Sequence, residues 1–284
     1  MGRKIRIGID VGGTFTDAIA LDNETYKIIG LKKVPTTHAA AEGVTKGVIQ
    51  VLHDLLDEIK ASPDEIIFIA HGTTQATNAL LEGDVTDVGI IGFGAFKANS
   101  DTNLGEISLE GENNSSSENK KVIKTKQVFI NTTSGPDQEL IKEALRQFKK
   151  EKINVVVASE AFAVDDPDNE LKIEEFCNQN GFISTGSHEI SKLYGLKART
   201  RTAVINASIL PKMMQTADMT SKAVEEANIK VPLMIMRSDG GVMLIEEVKK
   251  RPILTVLSGP AAGVAGALMY EKISDGIFLE VGGT

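Results

Sequence analysis

Residues 10–17 (D-V-G-G-T-F-T-D) have the types and spacing that suit the binding of phosphate and a metal ion. The chemically useful members are Asp10, Gly12, Gly13, Thr14, Thr16 and Asp17. Two adjacent glycines at a sharp turn leave backbone N–H groups unshielded, and the threonines add hydroxyl groups. The first acid ends the preceding strand where a phosphate-bound cation would lie. The alternative is an ordinary Gly-Gly hairpin turn, since this pair is common in two-residue turns.

A near-copy of this segment stands at the other end of the chain. Residues 280–284 (E-V-G-G-T) repeat residues 10–14 (D-V-G-G-T) with one more methylene in the acid. Two such turns, each after an apolar strand, can face each other and hold the β- and γ-phosphates of a nucleotide. The phosphate-binding candidates are Gly12, Gly13, Thr14, Gly282, Gly283 and Thr284. Asp10 and Glu280 would hold Mg²⁺, largely through its waters.

Strands and helices alternate in the rest of the chain, and they must position these turns. Ile5, Ile7 and Ile9 predict a strand by their alternation, and residues 15–21 return beside it. Apolar runs predict further strands at residues 26–34, 65–70, 85–92, 127–130, 154–159, 182–187, 232–236, 242–245 and 277–280. Helices are predicted at residues 39–60, 76–82, 136–151, 167–180, 203–228 and 258–267. This order predicts an α/β fold with mixed, mostly parallel sheets.

A second polar segment, His71-Gly72-Thr73-Thr74, follows the predicted strand at residues 65–70. The carboxyl end of a strand in an open α/β sheet is where ligand chemistry is found, which makes His71 a candidate site residue. A histidine whose ring is satisfied by a neighbouring carbonyl is the alternative. Thr73 or Thr74 can cap the helix that follows, so these two threonines have a structural explanation.

Small residues characterise the helix predicted at residues 258–267 (S-G-P-A-A-G-V-A-G-A), with Ser258 as its N-cap. Its face of glycine and alanine predicts a close approach of another backbone. The helix predicted at residues 203–228 is either continuous or a pair broken around Pro211. Residues 97–126 lose apolar periodicity and contain a polar low-complexity run, which predicts a flexible surface insertion. A domain boundary is predicted near residue 190.

Composition narrows the class of protein. The 284 residues are 42% hydrophobic, which predicts a soluble globular protein with real cores. A net charge of −8 argues against a nucleic-acid or anionic-membrane surface. The single cysteine, Cys177, cannot form an internal disulfide, and no signal peptide or membrane span is recognisable, so we expect a cytoplasmic location. Neither a P-loop nor a Rossmann glycine motif is present.

Five blocks of sequence resemble one family. They are G-I-D-V-G-G-T-F-T-D (8–17), H-G-T-T-Q-A-T-N-A-L-L-E (71–82), R-T-R-T-A-V-I-N-A (199–207), R-S-D-G-G-V-M (237–243) and S-G-P-A-A-G-V-A-G-A (258–267). Together and in this order they are similar to the hydantoinase A, 5-oxoprolinase and acetone carboxylase β-subunit family. That family belongs to the actin-like ATPase superfamily, in which a small-residue helix precedes the second phosphate loop.

The resemblance implies an actin-like ATPase (ribonuclease H-like) fold, with mixed sheets, helices on both faces and an incomplete second domain. Residues 1–190 would be the hydantoinase/oxoprolinase N-terminal ATPase domain. Residues 191–284 would begin the second, hydantoinase A-type domain and stop at its second phosphate loop. Family members continue far beyond that loop, which predicts an amino-terminal fragment or the product of a split gene. Glu280 replaces the aspartate that is usual in the family.

The function that the resemblance implies is ATP-dependent hydrolysis of a cyclic amide of the hydantoin or 5-oxoproline type. ATP would phosphorylate the carbonyl oxygen before ring opening, with positioning and charge neutralisation supplying most of the catalysis. The alternatives are the ATPase subunit of an acetone-type carboxylase acting on a ketone enolate, a kinase that releases a stable phosphorylated product, and an ATP-gated regulatory module. This fragment alone is expected to be inactive.

The resemblance also implies roles and partners for this chain. ATP and Mg²⁺ are the expected cofactors, with Asp10 and Glu280 at the metal and Asp10, Asp17 and His71 as catalytic candidates. Thr16, Ser258 and Gly259 are further cofactor-binding candidates, in addition to the residues of the two phosphate loops. A hydantoinase B-like subunit or a complementing C-terminal segment is the expected protein partner, and a homo-oligomer is possible. Nucleic acid and membranes are not expected partners.

Overall fold

A three-stranded antiparallel meander begins the chain in the computed structural model. The strands are β1 (Ile5–Val11), β2 (Phe15–Asp22) and β3 (Ile28–Pro35), and β2 pairs with both of the others. Buried and more exposed side chains alternate along β1, as its sequence predicts. The structure describes residues 2–12, 14–37, 45–94, 104–109, 121–131, 135–272 and 275–279.

The meander extends into a six-stranded mixed sheet with the order β11-β10-β4-β1-β2-β3. The added strands are β4 (Ile66–Thr73), parallel to β1, β10 (Leu233–Met236), parallel to β4, and β11 (Val242–Leu244), antiparallel to β10. Helix α1 (Thr45–Ile59) packs on β2 and β3 through a buried apolar stripe that includes Leu55. A Cβ at Gly30 of β3 would lie 2.9 Å from Leu55 Cδ1, so glycine allows the helix to lie close.

A second mixed sheet has the order β6-β7-β5-β8-β9. Its strands are β5 (Val88–Gly94), β6 (Glu106–Ser108), β7 (Val122–Asn131), β8 (Val155–Glu160) and β9 (Ile183–Gly186), and only β6 runs antiparallel to its neighbour. Helices α3 (Gln138–Lys150) and α4 (Asp168–Gln179) share an apolar core with one face of this sheet. The amino-terminal part of α6 (Leu196–Glu226) shares a core with the other face.

The chain divides into two compact units. One is discontinuous and comprises Met1–Thr77 and Lys212–Thr284, and the other is Asn78–Pro211. Both division points fall inside helices, namely α2 (Gln75–Glu82) and α6. The domain boundary near residue 190 stays a prediction. The remaining helices are α5 (Ser187–Ile190), α7 (Ile245–Val248) and α8 (Ser258–Glu271).

Three local expectations differ from the structure or are decided by it. Helix α6 is continuous through Pro211 and begins seven residues before the predicted start. Strand β7 begins at Val122, inside the predicted flexible insertion, and Ile123 is fully buried because it pairs with Ile107 of β6. The apolar stretches within residues 97–126 are too short for their periodicity to predict two paired strands. The described residues after α8, 275–279, contain no strand, although the sequence predicts one.

The α/β class with mixed sheets and helices is therefore confirmed. Within the described ranges, no helix combines the length and the apolar composition needed to cross a bilayer.

Candidate functional site

Two aspartates share one face of the first sheet at the end of the opening hairpin. Asp10 of β1 is paired directly with Asp17 of β2 and with Gly72 of β4. Directly paired residues in neighbouring strands place their side chains on the same face, so both carboxylates lie on one side of the sheet. Asp10 is exposed, and a Cβ at Gly72 would lie 3.2 Å from Asp10 Oδ1. Glycine at position 72 therefore leaves room for the carboxylate.

Lys33 of β3 continues this row, because it is paired with Asp17 across the sheet. Its Nζ lies 3.1 Å from Asp17 Oδ1, and both side chains are about half exposed. Like charges directly opposite one another in a sheet are destabilising, so a cation bound beside Asp10 and Asp17 would be stabilising.

Two threonine hydroxyl groups hold the backbone at Gly12. Thr36 Oγ1 donates to Gly12 O at 2.9 Å, and it lies 3.1 Å from Thr16 Oγ1. Because the single proton of Thr36 is used on Gly12, Thr16 must donate to Thr36. The N–H of Gly12 donates to Phe15 O at 3.0 Å and closes the turn. Thr16, which is fully buried, therefore stabilises the turn, and its contact with phosphate stays a prediction.

The other members of this loop differ in exposure. Thr14 is exposed, and its carbonyl oxygen accepts a hydrogen bond from Thr36 N at 2.9 Å. Because the residue is exposed, its predicted contact with phosphate is sterically open, and that contact stays a prediction. Gly13 lies outside the described residues, so its predicted role stays a prediction.

His71 lies on the opposite face of the sheet from Asp10. Successive side chains of a strand point to opposite faces, and His71 is paired with Ile9 and Ile235 in the buried row. The residue is 2% exposed, and burial lowers the pKa of its imidazole to about 4. Its Nδ1 atom has no hydrogen-bond partner among the described residues. The structure thus shows a neutral, buried histidine at neutral pH, separated from Asp10 by the sheet.

The small-residue helix is attached to the end of β4. Ser258 is buried, and its Oγ donates to Thr73 O at 3.2 Å, while Leu257 N donates to Thr77 Oγ1 at 2.9 Å. Leu257, with φ of 60°, is the residue at the N-cap, so the prediction that Ser258 caps the helix is wrong. The local sequence favours serine as the cap, but the Ser258 hydroxyl donates to a carbonyl oxygen of a distant strand instead.

The glycine face of α8 is less crowded than its composition predicts. A Cβ at Gly259 or Gly266 would meet no atom within 4 Å, whereas a Cβ at Gly263 would lie 2.7 Å from Phe278 Cζ. Of these three glycines, only Gly263 is therefore needed for close packing, and it packs against the ring of Phe278. The open space beside Gly259 leaves its predicted role in cofactor binding as a prediction.

The second predicted phosphate loop lies outside the described residues, which end at 279. Its candidate members are Glu280, Gly282, Gly283 and Thr284. The facing of two loops, and the pairing of Glu280 with Asp10 at a metal, therefore stay predictions. Among the described residues, no group of three or more His, Cys, Asp or Glu side chains is arranged to hold a metal ion.

Sequence reasoning missed a buried polar cluster in the second unit. Glu170 of α4 is fully buried and accepts hydrogen bonds from Glu160 N, Ser187 Oγ and His188 N at 2.7–2.9 Å. Its Oε2 lies 2.6 Å from His188 Nδ1, and this hydrogen bond raises the pKa of the imidazole. Arg199, also fully buried, donates from Nε to Ser187 Oγ at 3.0 Å.

A sequence signal for this cluster did exist. Glu170 stands three residues before Ile173 and seven before Cys177, on the apolar stripe of a helix. An acid on such a stripe needs a buried partner. Nearby Glu174 is mostly buried, and burial together with neighbouring acids raises its pKa to about 7. The cluster joins the carboxyl ends of β8 and β9 to the start of α6.

Comparison with known proteins defines the class and then the family. The two mixed sheets with their helices form an α/β fold that resembles the solved structures of acetone carboxylase and an ATP-dependent caprolactamase. Residues 6–181 match the family model for the hydantoinase/oxoprolinase N-terminal region, and residues 199–284 match the hydantoinase/oxoprolinase model. The chain belongs to the hydantoinase/oxoprolinase family, as its sequence blocks predicted.

Individual relatives are about 25% identical to this chain within the aligned segments. Caprolactamase subunit alpha from Pseudomonas jessenii is 25% identical, over 99% of this chain and 42% of that protein. 5-Oxoprolinase 1 from Arabidopsis thaliana is 25% identical, over 93% of this chain and 23% of that protein. The nucleotide-free structure of acetone carboxylase matches with a TM-score of 0.72 and 18% identity, over 95% of this chain and 41% of that one. The chain thus spans less than half the length of these relatives.

Proposed function

We propose that this chain supplies the first phosphate- and metal-binding loop of an ATP-dependent enzyme that acts on a cyclic amide of the hydantoin or 5-oxoproline type. ATP would transfer its γ-phosphoryl group to the amide carbonyl oxygen and leave as ADP. Water would then attack the activated carbonyl carbon, the ring C–N bond would break, and hydrolysis of the resulting acyl phosphate would release phosphate. Membership of the hydantoinase/oxoprolinase family supports the proposal, as do a caprolactamase subunit and a 5-oxoprolinase among the relatives.

The observation that carries the proposal is the row Gly72, Asp10, Asp17 and Lys33 across four adjacent strands. Its exposed carboxylate oxygen ligands suit a hard cation such as Mg²⁺, and the missing Cβ at position 72 leaves space beside them. Asp10 would hold the ion together with Glu280. When bound, the ion neutralises the charge of the ATP phosphates.

The chain's own residues position the phosphates and the reacting proton. The hydroxyls of Thr16 and Thr36 hold the turn rigid, so that Thr14 meets the phosphates in a fixed geometry. Ser258 ties the start of α8 to the end of β4. In this proposal Asp17 handles the proton or orients water, because it shares the face of Asp10, whereas His71 lies on the other face.

The placement of the metal is tested by calorimetric titration of Mg·ATP into this chain and its Asp10→Asn variant. Loss of a charge-assisted contact predicts roughly tenfold or greater weakening of ATP affinity. Asp57→Asn is the matched control, since Asp57 is an exposed acid on α1. Equal, tight binding by the chain and the Asp10→Asn variant refutes the placement.

The reaction is tested with this chain and a hydantoinase B-like subunit, the proposed partner. Release of phosphate from ATP should require hydantoin or 5-oxoproline, and the ring-opened acid should appear with it. A carboxylase is the second candidate, since the chain shares the fold of acetone carboxylase. It predicts instead that ATP consumption requires a ketone and bicarbonate. ATP hydrolysis that responds to neither substrate would favour a regulatory module.

A further inference from the structure

A polar cleft of about 480 Å³ lies in the second unit, between the amino-terminal halves of α3 and α4. The side chains that matter to its chemistry are Gln138, Ile141, Asn169, Lys172 and Phe176, with Gly135 at its edge. Its volume falls within the range of small-molecule sites, roughly 300–1,000 Å³. We propose that this cleft binds a small molecule that carries both a carboxylate group and an N–H group. The inference does not rest on the proposed ATP-dependent activity.

Strand topology places the cleft at the edge of the sheet where α/β proteins bind ligands. After β5 the chain continues on one side of the sheet, in β6 and β7, and after β8 it continues on the other side, in β9. The carboxyl ends of β5 and β8 therefore flank a topological switch point. Glu160 ends β8 there, and a Cβ at Gly94, which ends β5, would lie 3.9 Å from Glu160 Cγ. Asn169 connects this crevice to the cleft.

Glu160 determines which end of the Asn169 amide faces the cleft. Asn169 Nδ2 lies 3.3 Å from each carboxylate oxygen of Glu160. An ionised carboxylate only accepts hydrogen bonds, so the NH₂ group must face Glu160. Asn169 Oδ1 then faces the Gly135 side, where a Cβ would lie 3.7 Å from it. Asn169 therefore offers the cleft a carbonyl oxygen that accepts an N–H group.

The buried cluster holds Glu160 in place by its backbone. Glu160 N donates to Glu170 Oε1 at 2.8 Å, and Glu160 O accepts from the guanidinium of Arg199. Both partners are fully buried, so the end of β8 is anchored at two points. This anchoring makes Glu160 a positioning residue, which acts on the ligand through Asn169. A fixed orientation reduces the entropy lost on binding.

Lys172 supplies the positive charge of the cleft. Its side chain is exposed, and no carboxylate among the described residues forms an ion pair with it. Gln138 adds an amide beside it, and the wall beneath is apolar, formed by Ile141 and Phe176. A ligand with a carboxylate on Lys172, an N–H on Asn169 and a short apolar part against Phe176 matches the charge, the acceptor and the apolar wall of the cleft.

Saturation-transfer NMR on the full chain tests this site with N-acetylglycine, which has a carboxylate and one N–H group. We expect saturation transfer from the chain to the acetyl methyl group, and a dissociation constant that rises roughly tenfold in Lys172→Gln. Lys149→Gln is the matched control, because Lys149 is an exposed lysine at the other end of α3. No nucleotide is present, so the result is independent of the ATP site.

N-Acetylsarcosine, in which methyl replaces the N–H hydrogen, tests the acceptor. We expect it to bind more weakly than N-acetylglycine to the unaltered chain, and we expect this preference to shrink in Glu160→Gln, whose amide lets Asn169 flip. A merely structural role of Glu160 would weaken both probes alike and leave their ratio unchanged. The proposal is overturned if N-acetylglycine does not bind, if Lys172→Gln binds it as well as the control does, or if the two probes bind equally.

Discussion

Replacement of Glu170 by glutamine should destabilise the second unit strongly. The carboxylate of Glu170 is fully buried and accepts two hydrogen bonds on each oxygen. Glutamine keeps one accepting oxygen but presents an NH₂ group to donors that faced the other oxygen. If its oxygen faces Ser187 and Glu160 N, then its NH₂ meets His188 N and the imidazole. At least the hydrogen bond from His188 N is therefore lost, and a protonated imidazole loses a second one.

The size of the effect follows from the burial of these groups. A hydrogen bond to a charged group contributes about 1.5–3 kcal/mol, and the breaking of a buried ion pair costs about 3–5 kcal/mol. We expect Glu170→Gln to lower the free energy of unfolding by about 3 kcal/mol, because its remaining oxygen retains part of the network. Whole domains are stable by only about 5–15 kcal/mol, so this is a large fraction.

Dependence on pH provides a second readout. The hydrogen bond that His188 donates to Glu170 raises the pKa of the imidazole in the folded state, so folding favours the protonated imidazole. The resulting stability is fully present below the unfolded pKa, near 6.5, and is lost as pH rises through the folded pKa. The difference between the unaltered chain and Glu170→Gln should thus be larger at pH 6 than at pH 9. Glu174, whose pKa is raised to about 7 mainly by burial, also titrates between these pH values, and its charge interacts with both Glu170 and His188.

Urea denaturation followed by circular dichroism at both pH values measures the two effects. Glu175→Gln is the matched control, since Glu175 is an exposed acid on the same helix that accepts only from Gln179 at 3.1 Å. A loss of less than about 0.5 kcal/mol in Glu170→Gln, as for an ordinary surface change, would refute the reasoning about the network. A difference that is the same at pH 6 and pH 9 would refute the role of His188.

Three further outcomes are expected. Gly89→Ala should lower the thermal midpoint by overpacking worth about 1–3 kcal/mol, because its Cβ would lie 2.7 Å from Phe148 Cε2; an unchanged midpoint contradicts this. The thiol of Cys177 is fully buried with its pKa raised to about 12, so Ellman's reagent at pH 8 should react only after unfolding in urea. Gly72→Ala should keep the fold but weaken Mg·ATP binding roughly fivefold, because its Cβ crowds the Asp10 carboxylate; unaltered affinity would count against the proposed site.

Much of the fold was predictable because its signals are local. Alternation at Ile5, Ile7 and Ile9 indicated β1, and the Gly-Gly pair indicated the hairpin that follows. Helix α3 was predicted within two residues of its bounds, since its apolar stripe and its cap Asp137 lie in one short stretch. The candidate aspartates were also found from sequence, because a strand end that carries acids and glycines is a local pattern.

The remaining features depend on pairing between distant segments. Strand β7 starts at Val122 because Ile123 pairs with Ile107, which lies sixteen residues earlier and is joined to it by a polar run. Ser258 fails as a cap because its hydroxyl finds Thr73 O, far away in the sequence. No window of local sequence contains both partners of either interaction.

By itself the sequence determined the α/β class, the family and the loop that carries Asp10 and Asp17, since each depends on residue types in short, ordered blocks. Only the tertiary structure decided that His71 is buried on the face opposite Asp10, because the pairing of β4 with β1 sets which face each side chain takes. It alone also showed that Glu170 and Arg199 anchor Glu160, the residue that orients Asn169 at the polar cleft. A buried charge becomes interpretable only when the fold brings its partners within hydrogen-bond distance.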